Sequence, residues 1–486
     1  MIRCTAPLLL AMLGGCSFAP PYKSPIVDTP DTYKEAGPWQ AAAPADRADR
    51  GDWWRDYGDT ALNELEARVD SANPDLAAAA DRYEQARAYV AETRAGLFPQ
   101  VDAQALATRN RQSDNRPLRS STQPDEYRDN LVGAQIGYEL DLWGRVRNRV
   151  AAGQADAQAT AADLASVRLS LHAELADDYI TLRGLDAQAK LLADTVAAYG
   201  EALTLTQNRF KGGVASELDV AHAHTQLDTA RAEATDVQAQ RALYEHAIAS
   251  MVGTPASKFS LAPLVVELPV PAIPAGLPST LLERRPDVAA AERRAAAANA
   301  EIGIARAAFF PSITLTASGG YENTGGAGWL TAPNSFWSIG PHALLTLFDA
   351  GRRQAEVRRA HAAFDEANEK YRSTTLVAFQ QVEDNLALLH LLGEEARDED
   401  AAVVAAQRTL ALALDRYRNG AVNYLEVVEA QTAELQAQRT ALHLLDRRLE
   451  ASVGLIRALG GGWGDTESGA PDSAKSAQAM RSGKTD

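Results

Sequence analysis

The sequence predicts a mainly α-helical protein that carries a membrane β-barrel, built from a duplicated unit with four strands and long coiled-coil helices per chain. Three observations carry this prediction. First, Arg285–Pro311 reads RPDVAAAERRAAAANAEIGIARAAFFP and matches Asn73–Pro99, 212 positions earlier, at twelve of twenty-seven residues. Self-similarity of this length marks a tandem duplication. Second, Val132, Ala134, Ile136, Tyr138, Leu140 and Leu142 alternate with Gly133, Gln135, Gly137, Glu139 and Asp141, and Trp143 closes the run. Period two over that length suits a strand tilted across a bilayer, although a half-buried strand of a soluble sheet shows the same alternation. Third, Arg145–Phe210 contains no proline, and a heptad frame through 164, 168, 171 and onward to 210 is apolar at eleven of fourteen positions. The exceptions are Arg168, Asp178 and Thr206. A seam of over six heptads describes a helix of roughly 95 Å, longer than a globular core requires.

The amino terminus reads as a processing signal rather than structure. Residues 1–15 give a short basic start and an apolar segment too short to span a bilayer, closed by Leu13-Gly14-Gly15-Cys16. This resembles a bacterial lipobox, which implies that Cys16 becomes a lipid-bearing first residue, followed by Ser17 in a context that favours the outer membrane. Cys4 leaves with the signal, so no disulfide is expected and stability rests on packing and assembly. Residues 16–60 are expected to be a Pro-rich tether or arm, lipid-anchored as the lipobox resemblance implies.

The first repeat, residues 61–253, opens with a helix from Ala61 to Gly96 broken at Asn73-Pro74, where proline suits a fresh start. After Phe98-Pro99 a strand follows through Val101, Ala103, Ala105 and Ala107, then a loop from Asn110 to about Arg128 holding several arginines. The long return strand and the long helix come next. Gly212-Gly213 breaks that helix, and another runs from about Ser216 to Met251. Residues 254–283 form a Pro-rich connection, with Leu264–Leu268 expected as a short strand. The second repeat, residues 284–463, gives a helix Pro286–Phe310 and a strand through Ile313, Leu315 and Ala317. Its return strand carries Trp337, Ile339, Ala343, Leu345 and Leu347, and its long helix runs from Gly351 to about Tyr417 and breaks at Gly420. Residues 464–486 are Ser, Gly, Ala, Asp and Lys-rich and read as disordered.

Helix lengths suggest that shorter helices stack end to end beside each long one. The helix ending at Met251 is expected to stack on the one opening at Pro286, and Asn73–Gly96 on Asn423–Leu459. Four membrane strands cannot close a barrel, and open edges in lipid leave backbone groups unsatisfied, so the chain is expected to oligomerise.

Composition narrows the function. A net charge of -16 argues against a nucleic-acid partner. An aromatic content of only 6% suits helices packed through small side chains. No HExxH, phosphate loop or GxSxG elbow appears, and His222 and His224, two apart, do not share a helix face. Neither an enzyme nor a cofactor is expected.

Taken with Asp52-Trp53-Trp54, Asn73-Pro74-Asp75, Leu140–Arg145, Leu277–Asp287, Phe310-Pro311, Phe348–Arg352 and Ala458–Trp463, the chain resembles the outer-membrane factors, TolC-like and more narrowly the OprM/NodT-type efflux lipoproteins. The resemblance implies a homotrimer with one twelve-stranded barrel in outer-membrane lipid and a helical tunnel through the periplasm. It also implies a periplasmic membrane-fusion adaptor and an inner-membrane pump of the resistance-nodulation-division (RND) type as partners. The function implied is a passive exit duct for toxic small molecules. A protein-secretion (type I) channel on the same fold and a pore-free coiled-coil lipoprotein are the alternatives. A periplasmic gate is expected just after the helix breaks, at Asp219 in the first copy and Glu426 and Glu429 in the second, with Arg209, Arg416, Tyr417 and Tyr424 nearby. Helix-end residues without a gating role would show the same sequence. His222 stands at the position equivalent to Glu429 and breaks the acidic pattern.

Overall fold

The computed structural model describes residues 17–30, 32–35, 51–117, 120, 122–273, 284–325 and 328–461. Cys16, the signal and the carboxy-terminal tail lie outside them. The elements, in order, are a 3-10 turn Trp53–Tyr57, α1 (Thr60–Ala72), α2 (Pro74–Ala95), β1 (Gln100–Arg111), β2 (Glu126–Leu140), α3 (Arg145–Lys211), α4 (Glu217–Met251), α5 (Pro286–Ala307), β3 (Ser312–Asn323), β4 (Ser335–Leu344), α6 (Arg352–Arg418) and α7 (Tyr424–Ala458). The duplication is visible in the lengths. Helices α2 and α5 have 22 residues each, α3 and α6 have 67, and α4 and α7 have 35. At 1.5 Å per residue each 67-residue helix runs about 100 Å.

The chain forms two compact units. One comprises the chain up to Ile26, Arg82–Ala161 and Ala290–Arg372; the other comprises Val27–Asp81, Ala162–Ala289 and the chain from Ser373.

In the first unit the four strands make one antiparallel sheet in the order β1-β2-β3-β4. Its register sorts side chains by polarity. Val101, Ile136, Ala317 and Ile339 stand side by side across the sheet, as do Ala103, Ala134, Gly319 and Trp337. On the opposite face Asp102, Gln135, Ser318 and Ser338 form one row, and Glu139, Thr314 and His342 another. One face is therefore apolar and one polar, and on the apolar side Trp337 and Ile339 are 80% and 73% exposed. Beneath Phe336 the polar face is made of Gly320 and Gly133, and a Cβ on Gly133 would come 3.4 Å from the ring.

All four strands meet their helices at the same end of the sheet. At β2–α3 the Asp141 carboxylate accepts from the backbone N–H groups of Val146 and Arg147 at 3.0 and 2.9 Å. At β4–α6 Asp349 accepts from Gly351 and Arg353. Each corner turns through a left-handed glycine, Gly144 (φ 76°) or Gly351 (φ 87°). The Asp-x-x-Gly and Asp-x-Gly motifs thus supply helix starts, offsetting orphan N–H groups.

Several sequence expectations need correction. Strand β1 extends to Arg111 and β2 begins at Glu126, so pairing consumes residues that read as loop. Leu345 and Leu347 lie beyond the end of β4, and α5 stops at Ala307 rather than Phe310. No strand forms at 264–268. The connector is held there by side chains instead. Arg183 and Arg241 share the Asp186 carboxylate, Arg241 donates to the Leu261 carbonyl at 2.6 Å, Arg183 to the Ala262 carbonyl at 3.0 Å, and Asp186 accepts from the Leu264 N–H at 3.0 Å.

The stacking expectation is also overturned, within the second unit. Helix α4 ends on the start of α2, because the Asn73 amide donates to the Met251 carbonyl at 2.9 Å while its oxygen caps Asp75 and Leu76. Gly253 (φ 65°) abuts Ala72 so closely that a Cβ would strike its carbonyl. Helix α7 likewise ends on the start of α5, where Arg285 donates to the Ala458 carbonyl at 3.1 Å and Gly460 (φ 86°) abuts Arg284. Each short helix therefore stacks on the one from its own repeat. Lengths could not distinguish the pairings, since α2 and α5 are equal and so are α4 and α7. The junction side chains decide.

The heptad seam of α3 is buried or half-buried at every position from 164 to 206 except Arg168, which is exposed, as is Phe210 at its end. Arg168 leaves the seam to pair with Asp70 at 2.8 Å.

Candidate functional site: the paired helical hairpins

In the second unit α3–α4 and α6–α7 form two hairpins that pack on each other through Tyr199, Leu203, Leu227, Tyr417, Tyr424 and Val427. Both turns use a left-handed glycine, Gly213 (φ 74°) and Gly420 (φ 77°), as the C-terminal cap of a long helix. The helices that follow start differently. Ser216 and Asp219 form a reciprocal capping box on α4, whereas Asn423 makes no side-chain cap on α7.

The seven expected gate residues separate into two groups. Tyr417 and Tyr424 are 2% and 1% exposed, with rings 5.3 Å apart at 62°. Burial pushes the Tyr424 hydroxyl up to about 12, with Tyr417 adding to the rise, so the Tyr424 phenol stays a neutral hydrogen-bonding group. Tyr417 donates to the Thr206 hydroxyl at 3.3 Å, and Arg209 lies over its ring at 4.7 Å while donating to the Arg418 carbonyl at 3.2 Å. Arg209 therefore bridges the hairpins. Its Nε is buried without a hydrogen-bond partner.

The acids form the second group: Glu426 and Glu429 are exposed and Asp219 is half-buried. Asp219 is committed to its cap, accepting from the Ser216 N–H and hydroxyl at 2.9 Å each. Glu426 pairs with Arg416 at 3.2 Å within its own hairpin. Glu429 projects from the same helix without joining the buried network. The two arginines, equivalent by duplication, thus do different things: Arg416 ties one hairpin to itself, and Arg209 ties one hairpin to the other. His222, the counterpart of Glu429, is half-buried.

Three polar residues of this network were not picked out as site residues by sequence reasoning. Thr206 appeared only as a flaw in the seam, yet it is fully buried and receives Tyr417. Gln431 is 2% exposed; it accepts from Tyr424 through its side chain and from Tyr199 through its carbonyl. The signal for Gln431 was its position seven residues after Tyr424, on the same helix face. Tyr199 was counted only as an apolar seam residue. Among the described residues no group of three or more His, Cys, Asp or Glu is placed to hold a metal. No helix among them is long and apolar enough to cross a membrane.

Comparison with known proteins agrees with this architecture. The family model for outer membrane efflux proteins matches residues 67–254 and 277–461. The toluene efflux pump outer membrane protein TtgF of Pseudomonas putida is 33% identical over 467 residues, covering 95% of this chain and 97% of the relative. The pyoverdine export outer membrane protein OpmQ of Pseudomonas aeruginosa is 32% identical over 93% of this chain and 95% of its own length. The solved outer-membrane channel OprN superposes with a TM-score of 0.86 at 29% identity, covering 92% of this chain and all of that one. With the family model spanning both repeats, full-length relatives above 30% identity and the same fold in a solved channel, the chain belongs to the outer membrane efflux protein family.

Proposed function

We propose that this chain is the outer-membrane exit duct of a tripartite efflux pump, in which three copies complete one barrel and the paired hairpins close its periplasmic end. The observation that carries the reading is the sheet. Its apolar face suits lipid, its polar face suits a water-filled lumen, and β1 and β4 each leave an edge that another strand of the same kind would satisfy. Three copies of four strands give the twelve-stranded barrel that the family resemblance implies.

The partners proposed are a periplasmic adaptor and an RND-type inner-membrane pump. At the hairpin turns Phe210, Val214, Leu218 and Leu425 expose 44 to 67% of their surface, a patch that an adaptor would cover. Closure is assigned to the Arg209–Tyr417–Tyr424–Gln431 network. Asp219, Glu426 and Glu429 are proposed as the acids facing the pore entrance, where threefold repetition would favour cations. The division into signal 1–15, lipid-anchored arm 16–60, repeats 61–253 and 284–463, connection 254–283 and tail 464–486 belongs to the same proposal.

Relatives named for toluene and for pyoverdine resemble this chain almost equally, so substrate choice is assigned to the pump and the cargo to small molecules as a class. A strain lacking the gene should become more susceptible to dyes, solvents and antibiotics, and the intact gene should restore resistance. Unchanged susceptibility together with loss of a secreted protein would overturn the efflux reading.

A further inference from the structure

Residues 17–24 do not hang free; they form a strap fastened to the helices next to the sheet. The Ser17 hydroxyl donates to Asn148 Oδ1 at 3.0 Å, Arg306 donates to the Phe18 carbonyl at 3.4 Å, and Asn299 to the Pro20 carbonyl at 2.8 Å. The Tyr22 hydroxyl donates to the Glu292 carboxylate at 2.8 Å. The backbone of Ala19 runs so close to α5 that a Cβ on Gly303 would stand 2.8 Å from the Ala19 nitrogen. At the head of the strap Phe18 stacks on Phe310 at 4.5 Å and 6°, and Phe310 stacks on Trp143 at 4.8 Å. The Trp143 indole N–H is fixed by the Pro311 carbonyl at 2.8 Å.

These rings belong to a larger feature. Phe98 precedes β1, Trp143 follows β2, Phe310 precedes β3 and Phe348 follows β4, so each strand carries an aromatic residue at its helix-side end. Phe98, Phe310 and Phe348 are 69%, 37% and 87% exposed. Exposed aromatics at one level of a membrane sheet mark the boundary between lipid and water.

We propose that the Phe18–Phe310–Trp143 stack is a seat that holds the acyl chains of Cys16 against this girdle, so that the lipid enters the bilayer beside the barrel of its own chain. This rests on the reading that Cys16 is acylated. Cys16 is bonded directly to Ser17, which the strap fixes, so the chains emerge one residue from the stack and meet an apolar surface already at the membrane boundary. Phe18 is the positioning residue.

The test is metabolic labelling of the full-length protein in the outer membrane with a fatty acid bearing a diazirine near its carboxyl end, followed by irradiation and peptide mapping. The expected cross-links fall on peptides containing Trp143 and Phe309–Phe310. Phe18→Ala and Gly303→Ala, which disrupt the strap from opposite sides, should reduce those cross-links to background, and Phe18→Trp should retain them. Label present at Cys16 with cross-links unchanged in Phe18→Ala and Gly303→Ala, or absent from these peptides in the unaltered protein, overturns the seat alone. No label at Cys16 overturns the acylation reading and the seat with it.

Discussion

Removing Arg209 should open the periplasmic end far more than removing Arg416, although duplication makes the two positions equivalent. Arg416 and Glu426 lie on the two helices of one hairpin, with side chains 58% and 46% exposed. Such a pair contributes ~0.2–1 kcal/mol, and its loss leaves the contact between hairpins intact. Arg209 contributes between hairpins. Its stack on a buried Tyr417 ring is worth ~1–2 kcal/mol, and its bond to the Arg418 carbonyl, long at 3.2 Å, about 1 kcal/mol more. At about 1.4 kcal/mol per factor of ten, Arg209→Ala should shift the closed-to-open ratio by roughly 30- to 140-fold per hairpin pair. Arg416→Ala should shift it less than about fivefold on the same scale. Arg209→Lys keeps the charge but loses the planar stack and should fall between. The assay is open probability in planar bilayers at fixed ionic strength. Equal effects of the two alanine substitutions, or none from Arg209→Ala, would refute the assignment of closure to the bridge between hairpins.

Other consequences follow from the fold. Ala134→Arg places a charge on the apolar face and should cost about 2–4 kcal/mol, preventing barrel assembly in vesicles, whereas Gln135→Arg on the polar face should assemble normally. Asn73→Ala removes a helix cap and leaves the Met251 carbonyl unpaired, a loss of about 2–3 kcal/mol that should appear as a lower thermal midpoint. Asp177 and Asp446 are pushed up to about 7, chiefly by burial and then by the Glu450 charge, with Arg457 partly offsetting the effect at Asp177. Both acids therefore bind protons more tightly folded than unfolded, so their contribution is fully present below about pH 4 and is lost as pH rises towards 7. The thermal midpoint should fall across that window, and Asp177→Asn with Asp446→Asn should flatten the fall.

Much of this architecture was legible in the sequence because its signals are local and repeated. Period two across Val132–Leu140 and the heptads of Arg145–Phe210 each depend on neighbours a few residues apart. The matching Asn73 and Arg285 stretches tied the halves together without any knowledge of contacts. What failed depends on tertiary choice. The stacking partner of α4 is decided by which carbonyl the Asn73 amide reaches, and a short apolar run at 264–268 stays irregular because Arg183, Arg241 and Asp186 satisfy the adjoining backbone. At the hairpins the residue types were legible, but the contacts that each one makes were not. Asp219 is held in a cap box readable as Ser216-x-x-Asp219, while Arg209 and Arg416 look identical in sequence and differ only in where the guanidinium points. Thr206 looked like a defect in an apolar seam and Gln431 carried no signal beyond its spacing from Tyr424; both are buried and serve as polar contacts of the hairpin network.

The central claim is that copies of this chain close a lipid-facing barrel around an aqueous, gated duct. Single-channel recording of the protein extracted from outer membranes tests it most directly. Uniform conductance steps from a heat-stable, SDS-resistant trimer are expected, with cation preference that weakens in Glu429→Gln and brief openings that lengthen in Arg209→Ala. A monomeric species, or an oligomer that inserts without conductance steps even in Arg209→Ala, would contradict it.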